Sequence, residues 1–276
     1  MTRATVCLTF DFDAVSPWIH VSSDRNTPVN RSRGLFGATE GAPRLLDLLD
    51  RLDLPSTWFV PGHTVDSFPD VAGRVHDEGH EIQHHGWSHT RPGSYESREA
   101  ERRDIERGIE SVEDLTGRRP LGYRSPSWDF SEHTRGLLQE LGFEWDSSGM
   151  ASDFRPYWLH EDRAPSDGAY ERGDPLDVVT IPVSWNRDDY PAFAYSPGKG
   201  YADEAAVYEM WADQFDWMYE NVDGGVFVLT MHPQVSGRSH RLAHLEALVD
   251  HLRSRPDVAF SDLSTVAADF REAESA

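Results

Sequence analysis

Apolar residues gather in short runs along the chain, separated by longer stretches in which they return every three or four positions. The runs fall at 5–11, 56–60, 81–84, 121–124, 143–146, 178–183, 226–231 and 258–260. Most are rich in β-branched or aromatic residues and bounded by Gly, Pro or Asp, which predicts strands buried in a parallel sheet. The stretches between them read as helices. Leu45, Leu46, Leu48, Leu49 and Leu52 form one stripe after Pro43, a residue suited to a first helical turn. Ser67 with Asp70 predicts a capping box. Ile105, Ile109, Val112 and Leu115 repeat at helical spacing and stop before Gly117, and Leu137, Leu138 and Leu141 stop before Gly142. Further helices are expected over 205–221 and 242–252.

Strand–helix alternation repeated seven or eight times implies parallel strands joined by right-handed crossovers. An open doubly wound sheet and a closed barrel both satisfy that pattern. The polar residues favour an α/β barrel of seven or eight βα units, because nearly every strand runs out into one. Asp11 and Asp13, His85 and His89, Arg124, Asp146, Trp185 and His232 all stand at or just past strand ends. Barrel sites are built on that face, so these residues would line one mouth. The 276 residues fit a single catalytic domain spanning 1–276. Three connectors, 14–41, 147–177 and 186–203, are long enough to suggest function. They carry Trp18, Tyr157, Trp158, Tyr190, Phe193 and Tyr195.

Charge narrows the partners. Asp and Glu number 48 against 26 Lys and Arg, a net charge of −22. Nucleic acid needs a basic footprint, and anionic membrane surfaces repel such a chain. Lys199 is the only lysine. An acidic, lysine-poor surface is what a protein working in high salt carries, although codon usage favouring Arg over Lys would give the same count. Cys7 is the only cysteine, so an intrachain disulfide is excluded, and its apolar surroundings place it in the core. The first ten residues are too short and too polar for a signal peptide, and no apolar stretch reaches 18 residues. The chain is therefore expected to stay where it is made, in a compartment compatible with the cytosol.

The chemistry-bearing residues are each ambiguous alone. His85 and His89 flank Gly86-Trp87-Ser88 and could converge on one ion, neutral imidazole being a common metal ligand. His80 and His84 repeat the spacing, but they span a predicted strand, where positions four apart do not converge. A strand ending in Asp11-Phe12-Asp13 carries two carboxylates that are costly to bury without a cation or acid–base work. Arg124, in Arg-Ser-Pro-Ser-Trp128, could pair with one of them, or be a surface arginine before a turn. His232 leaves an apolar run where it could donate a proton, or simply cap the strand.

Taken in order, Thr-Phe-Asp11-Phe-Asp13, His85-Gly-Trp-Ser-His89, Arg124-Ser-Pro-Ser-Trp128 and Leu-Thr-Met-His232-Pro resemble the polysaccharide deacetylase family over about residues 5–265. The resemblance implies an incomplete barrel and hydrolysis of N- or O-acetyl groups with Zn²⁺ or another divalent ion such as Co²⁺, Ni²⁺ or Mn²⁺. It implies Asp13, His85 and His89 as ligands. Asp11 would take the proton of the attacking water, Arg124 would hold Asp11, and His232 would protonate the departing nitrogen. Asp146 would orient His232, and a backbone N–H near Arg124 would help the metal stabilise the oxyanion. Trp18, Trp128 and Trp185 are candidates for substrate contact. The commoner pattern of the family has adjacent aspartates. Spaced ones, with Phe59-Val-Pro-Gly62 and Trp145-Asp-Ser-Ser148, are closer to the branch of intracellular peptidoglycan-deacetylase-like proteins and cyclic imide hydrolases. The metal-independent allantoinases of that branch lack the histidine pair. A small amide, such as a cyclic imide or ureide, and an N-acetylated sugar are both expected substrate classes, and that branch suggests a tetramer or dimer.

Overall fold

A computed structural model describes residues 2–20, 25–195 and 200–275. Its strands are β1 (Ala4–Asp11), β2 (Thr57–Val60), β3 (Glu81–His84), β4 (Gly122–Tyr123), β5 (Trp145–Asp146), β6 (Tyr157–His160), β7 (Pro175–Thr180), β8 (Gly225–Met231) and β9 (Val258–Phe260). They form one sheet in the order β6-β7-β5-β4-β3-β2-β1-β8, with β9 beside β1. Every pairing from β7 through to β8 is parallel, and β6 runs antiparallel to β7. β1 is the spine. It pairs with β8 from Ala4 to Phe10, with β9 from Ala4 to Val6 and with β2 from Thr9 to Asp11.

The sheet must curl, because Arg124, just past β4, donates hydrogen bonds to Thr9 and Asp11 of β1. In a flat sheet those strands would stand three spacings, roughly 14 Å, apart. The expected barrel is nevertheless incomplete. Among the described residues, a single parallel bridge, Asp188 with Thr230, joins the segment after β7 to β8.

Alternation along β1 sorts its side chains between the two faces. Val6, Leu8, Phe10 and Phe12 pack outward against helices, with Leu45, Leu46 and Leu49 of the helix Ala42–Leu52. Cys7 belongs to the inner cluster with Phe59, Trp145, Val179 and Val228. Thr9, Asp11 and Asp13 continue that inner line to the mouth.

Several sequence expectations shift. The connector 14–41 is largely helical, with helices Ser16–His20 and Pro28–Phe36 and a π-turn Gly37–Gly41 running into Ala42–Leu52. The connector 147–177 holds β6, and 186–203 holds the short helix Asp189–Phe193. Residues 21–24 and 196–199 of these connectors, Lys199 included, lie outside the described residues. The Ser67–Asp70 capping box is absent. Ser67 closes one helix (Gly62–Ser67), and the next starts at Pro69 with Phe68 as its uncapped N-cap, because a residue lacking an N–H fits a first turn. The helix Arg98–Thr116 does stop at Gly117, whose φ of 70° is the left-handed cap expected there. No helix among the described residues is long and apolar enough to cross a membrane.

Candidate active site

The inner line of β1 delivers Asp11 and Asp13 to the mouth, both nearly fully buried. β3 delivers His85 by the same alternation. His84, one residue earlier, points outward: its Nε2–H donates to the Ile105 carbonyl at 2.9 Å and its Nδ1 accepts the Gly86 N–H. His80 contacts Ser56 Oγ at 3.1 Å. The second histidine pair is thus structural.

His85 Nδ1 lies 2.7 Å from the Arg124 carbonyl. A carbonyl only accepts, so the proton sits on Nδ1 and the Nε2 lone pair faces the site. From there Nε2 is 3.5 Å from Asp13 Oδ1, and His89 Nε2 is 3.3 Å from the same oxygen. Asp13 Oδ1 is buried with no hydrogen-bond partner among the described residues. Three ligands in a tetrahedral set bound at roughly 2.0–2.1 Å stand about 3.3–3.4 Å apart, so this spacing fits a divalent ion. Burial first, then His89 beside His85 and His232 beside His89, holds both imidazoles down at about 4 against the pull of Asp11. Both are neutral and ready to ligate. Burial pushes Asp13 up to about 6. Gln234 Nε2–H donates to its Oδ2 at 3.3 Å, a contact the sequence pattern did not single out.

Asp11 is held differently. Burial alone would raise it, but Arg124, His85 and His232 together bring it below the usual carboxylate range. Arg124 NH1 donates to Asp11 Oδ1 at 2.7 Å and to Thr9 Oγ1 at 2.9 Å, while Nε and NH2 donate to Ser147. This guanidinium is fully buried over the Phe59 ring. The free oxygen, Asp11 Oδ2, stands 3.9 Å from His85 Nε2 and 4.0 Å from His232 Nε2. The backbone N–H groups of Arg124 and Ser125 donate to the His84 carbonyl and to Ser148 Oγ. They are committed to the fold and not free for an oxyanion.

His232 corrects one expectation. Its Nδ1–H donates to Asp189 Oδ1 at 2.7 Å, and Asp189 Oδ2 accepts from the His232 N–H and Ser236 Oγ. Asp146 sits elsewhere, accepting Ser148 Oγ at 2.6 Å and so bracing the turn after Arg124. Asp188 Oδ1 lies 3.6 Å from the same nitrogen. Asp188 and Asp189 enter at the gap in the barrel, where Asp188 bridges to Thr230. Their tandem carboxylates just after Trp185 were the visible signal, but nothing in sequence tied that connector to β8. Burial disfavours a charged His232, yet Asp189 first and then Asp188 raise it well above the usual histidine value. That direction favours the imidazolium. Asp188, Asp189 and His232 also cluster closely enough to suggest an ion, but the proton on Nδ1 accounts for that arrangement.

A cavity of about 310 Å³ opens over these groups. Trp18, Trp128, Trp185 and Tyr190 wall it, with Trp128 and Trp185 stacked at 4.4 Å between centroids. Ala14, His89, Ser127 and Trp128, all at this mouth, are non-glycine residues with φ between 46° and 61°. Backbone strain concentrated in this way is a feature of functional sites.

Comparison with known proteins agrees with the geometry. The polysaccharide deacetylase family model matches residues 2–145. A peptidoglycan deacetylase of Helicobacter pylori is 36% identical over 276 residues, covering 94% of each chain. The crystal structure of a Mycobacterium smegmatis protein described as a polysaccharide deacetylase superposes with a TM-score of 0.87 at 34% identity, over 99% of this chain and 92% of that one. An allantoinase, at 21% identity and a TM-score of 0.78 over 97% and 90% of the two chains, shares the fold. The chain belongs to the polysaccharide deacetylase family, hydrolases of carbon–nitrogen bonds other than peptide bonds.

Proposed function

We propose that this protein hydrolyses a small amide with the help of a divalent ion held by Asp13, His85 and His89. The observation that carries the reading is the orphaned Asp13 Oδ1 facing two neutral imidazole nitrogens at 3.3 and 3.5 Å. When bound, such an ion polarises a carbonyl and acidifies water. The protein's own groups supply the rest. Asp11 Oδ2, its partner oxygen fixed by Arg124, takes the proton of the attacking water as oxygen bonds to the carbonyl carbon. His232 Nε2 gives its proton to the nitrogen as the C–N bond breaks, and Asp189 holds the ring in the tautomer that allows this. A cyclic imide or ureide opens to one acyclic product, with a carboxylate at one end and the released amide or urea nitrogen at the other. An N-acetylated sugar separates into acetate and an amine. Trp18 and the stacked Trp128–Trp185 pair would pack against the substrate.

The cavity is at the low end of the range for small-ligand sites, and its aromatic walls suit a cyclic imide or ureide. An N-acetylated sugar is the second reading, favoured by Trp185, which is 46% exposed and offers a stacking face. A hydrolysis screen with Zn²⁺, Co²⁺, Ni²⁺ or Mn²⁺ added, setting cyclic imides and ureides against N-acetylated sugars, separates them. Ring opening of the imides or ureides is expected. Acetate released from the sugars alone overturns the small-amide reading, and equal turnover of chelator-treated protein overturns the metal.

A further inference from the structure

A second cavity, of about 480 Å³, adjoins the first, and Trp18, Tyr190 and Gln234 line both. The second cavity is unusual for its charge. Arg33, Arg238 and Arg241 line it, and among the described residues Glu204 is the one carboxylate in its lining. Glu204 is already taken, since its Oε1 receives Arg241 Nε at 2.9 Å and contacts His240 Nε2 at 3.0 Å. Arg241 also donates to the Val235 carbonyl. Arg33 donates to the Tyr195 carbonyl at 3.3 Å and stands over the Trp18 ring. Arg238 lies 3.5 Å from the centroid of the Phe36 ring, and among the described residues no carboxylate forms an ion pair with it or with Arg33.

Three guanidiniums lining one cavity stand out in a chain of 48 acidic and 26 basic residues. Other arginines pair with carboxylates on the surface, as Arg44 does with Glu40 and Arg51 with Glu246. Arg238 feels the positive charges of Arg241 and Arg44 more than the opposing carboxylate of Glu40. Burial, then repulsion from Arg241 and Arg44, holds it below the usual guanidinium range. Such an arrangement costs stability unless an anion offsets it, and guanidinium forks match carboxylate geometry.

We propose that this second cavity is an anion subsite that seats a carboxylate carried by the substrate, beside the amide held at Asp11 and His232. The inference rests on the small-amide reading above and names the substrate class more closely, as an amide bearing a carboxylate a few atoms from the cleaved bond.

Two matched pairs test it on the metal-loaded enzyme: dihydroorotate against dihydrouracil, and N-acetylmuramate against N-acetylglucosamine. In whichever pair is turned over, kcat/KM for the carboxylate-bearing member is expected to be at least about tenfold higher. Arg33→Ala with Arg238→Ala should bring that ratio to below about twofold, and Arg238→Lys should leave an intermediate value. Thermal unfolding and metal content confirm that the variants fold. A ratio near one in the wild type, or a preference that survives the double variant, overturns the subsite. If neither pair is hydrolysed, the reaction assigned above is at fault, and the subsite is judged by calorimetric titration with succinate, glutarate, acetate and inorganic phosphate at fixed ionic strength. Dicarboxylates should bind at least about tenfold more tightly than acetate, and the double variant should lose the difference. Equal binding, or tightest binding by phosphate, overturns it.

Discussion

Asp11 and Asp13 stand two positions apart on one strand end, and their surroundings push them in opposite directions. The Arg124 guanidinium keeps Asp11 ionised, whereas burial outweighs the pull of His232, 3.8 Å from Asp13, and pushes Asp13 up to about 6. Different roles follow from that difference. Asp11→Asn should retain the ion while kcat falls by roughly 10²–10⁴-fold, the range for loss of a general base. Asp13→Asn should lose stoichiometric metal in elemental analysis. His232 carries the pH dependence. Asp189 stabilises its imidazolium, so activity that needs a protonated His232 persists at neutral pH and falls as pH rises through the elevated value. Asp189→Asn removes the charge that raises it, and the alkaline limb of the kcat profile should move down by about one unit or more, each unit being about 1.36 kcal/mol. An unmoved limb would place the acid elsewhere. The sign for stability is the same: a raised histidine stabilises the folded state below its unfolded value, and that contribution is lost as pH climbs through the folded one.

At the scale of elements, the site depends on how closely the helix Pro28–Phe36 approaches the turn after β1. A Cβ added at Gly34 would lie 2.2 Å from the Ala14 carbonyl oxygen and 2.8 Å from the Trp18 ring. Only glycine permits that contact, and Ala14 itself has a φ of 46°. Gly34→Ala should therefore cost about 1–3 kcal/mol as overpacking, measured by denaturant unfolding. It should also weaken metal binding, because the displaced backbone carries Asp13. A variant with native stability and native metal affinity would show that the turn adapts without cost. The opening between β8 and the β6–β7 edge is the other decisive element. A full strand there would complete the barrel ladder, and the single Asp188–Thr230 bridge instead lets Asp188 and Asp189 turn inward onto His232.

For the whole molecule, a net charge of −22 sets the dominant long-range term. Self-repulsion weakens as the screening length falls from about 10 Å at 0.1 M salt to about 3 Å at 1 M. The thermal midpoint should rise by roughly 4–8 °C between those salts, the equivalent of about 2 kcal/mol for a chain of this size. A midpoint indifferent to KCl would leave codon usage as the account of the missing lysines. Chelation should lower the same midpoint, since an ion bound at 100 times its Kd contributes about 2.7 kcal/mol. Much of this architecture was legible in the chain. Short apolar runs leading into Asp, His and Arg marked the parallel strands and the face that carries the site. The spacing of Asp11, Phe12 and Asp13 itself dictates that both carboxylates share the inner side of β1 while Phe12 packs outward, since side chains alternate. The same rule separates His85 from its neighbour His84. What the chain could not disclose were contacts made across long loops. Asp189 reaches His232 over 43 positions, the helices within 14–41 carry no strong apolar period, and Arg33 meets Arg238 and Arg241 from a helix about 200 positions away. Local periodicity determines which way a side chain faces on its own strand. Only the closing of the sheet decides which distant side chain it meets there.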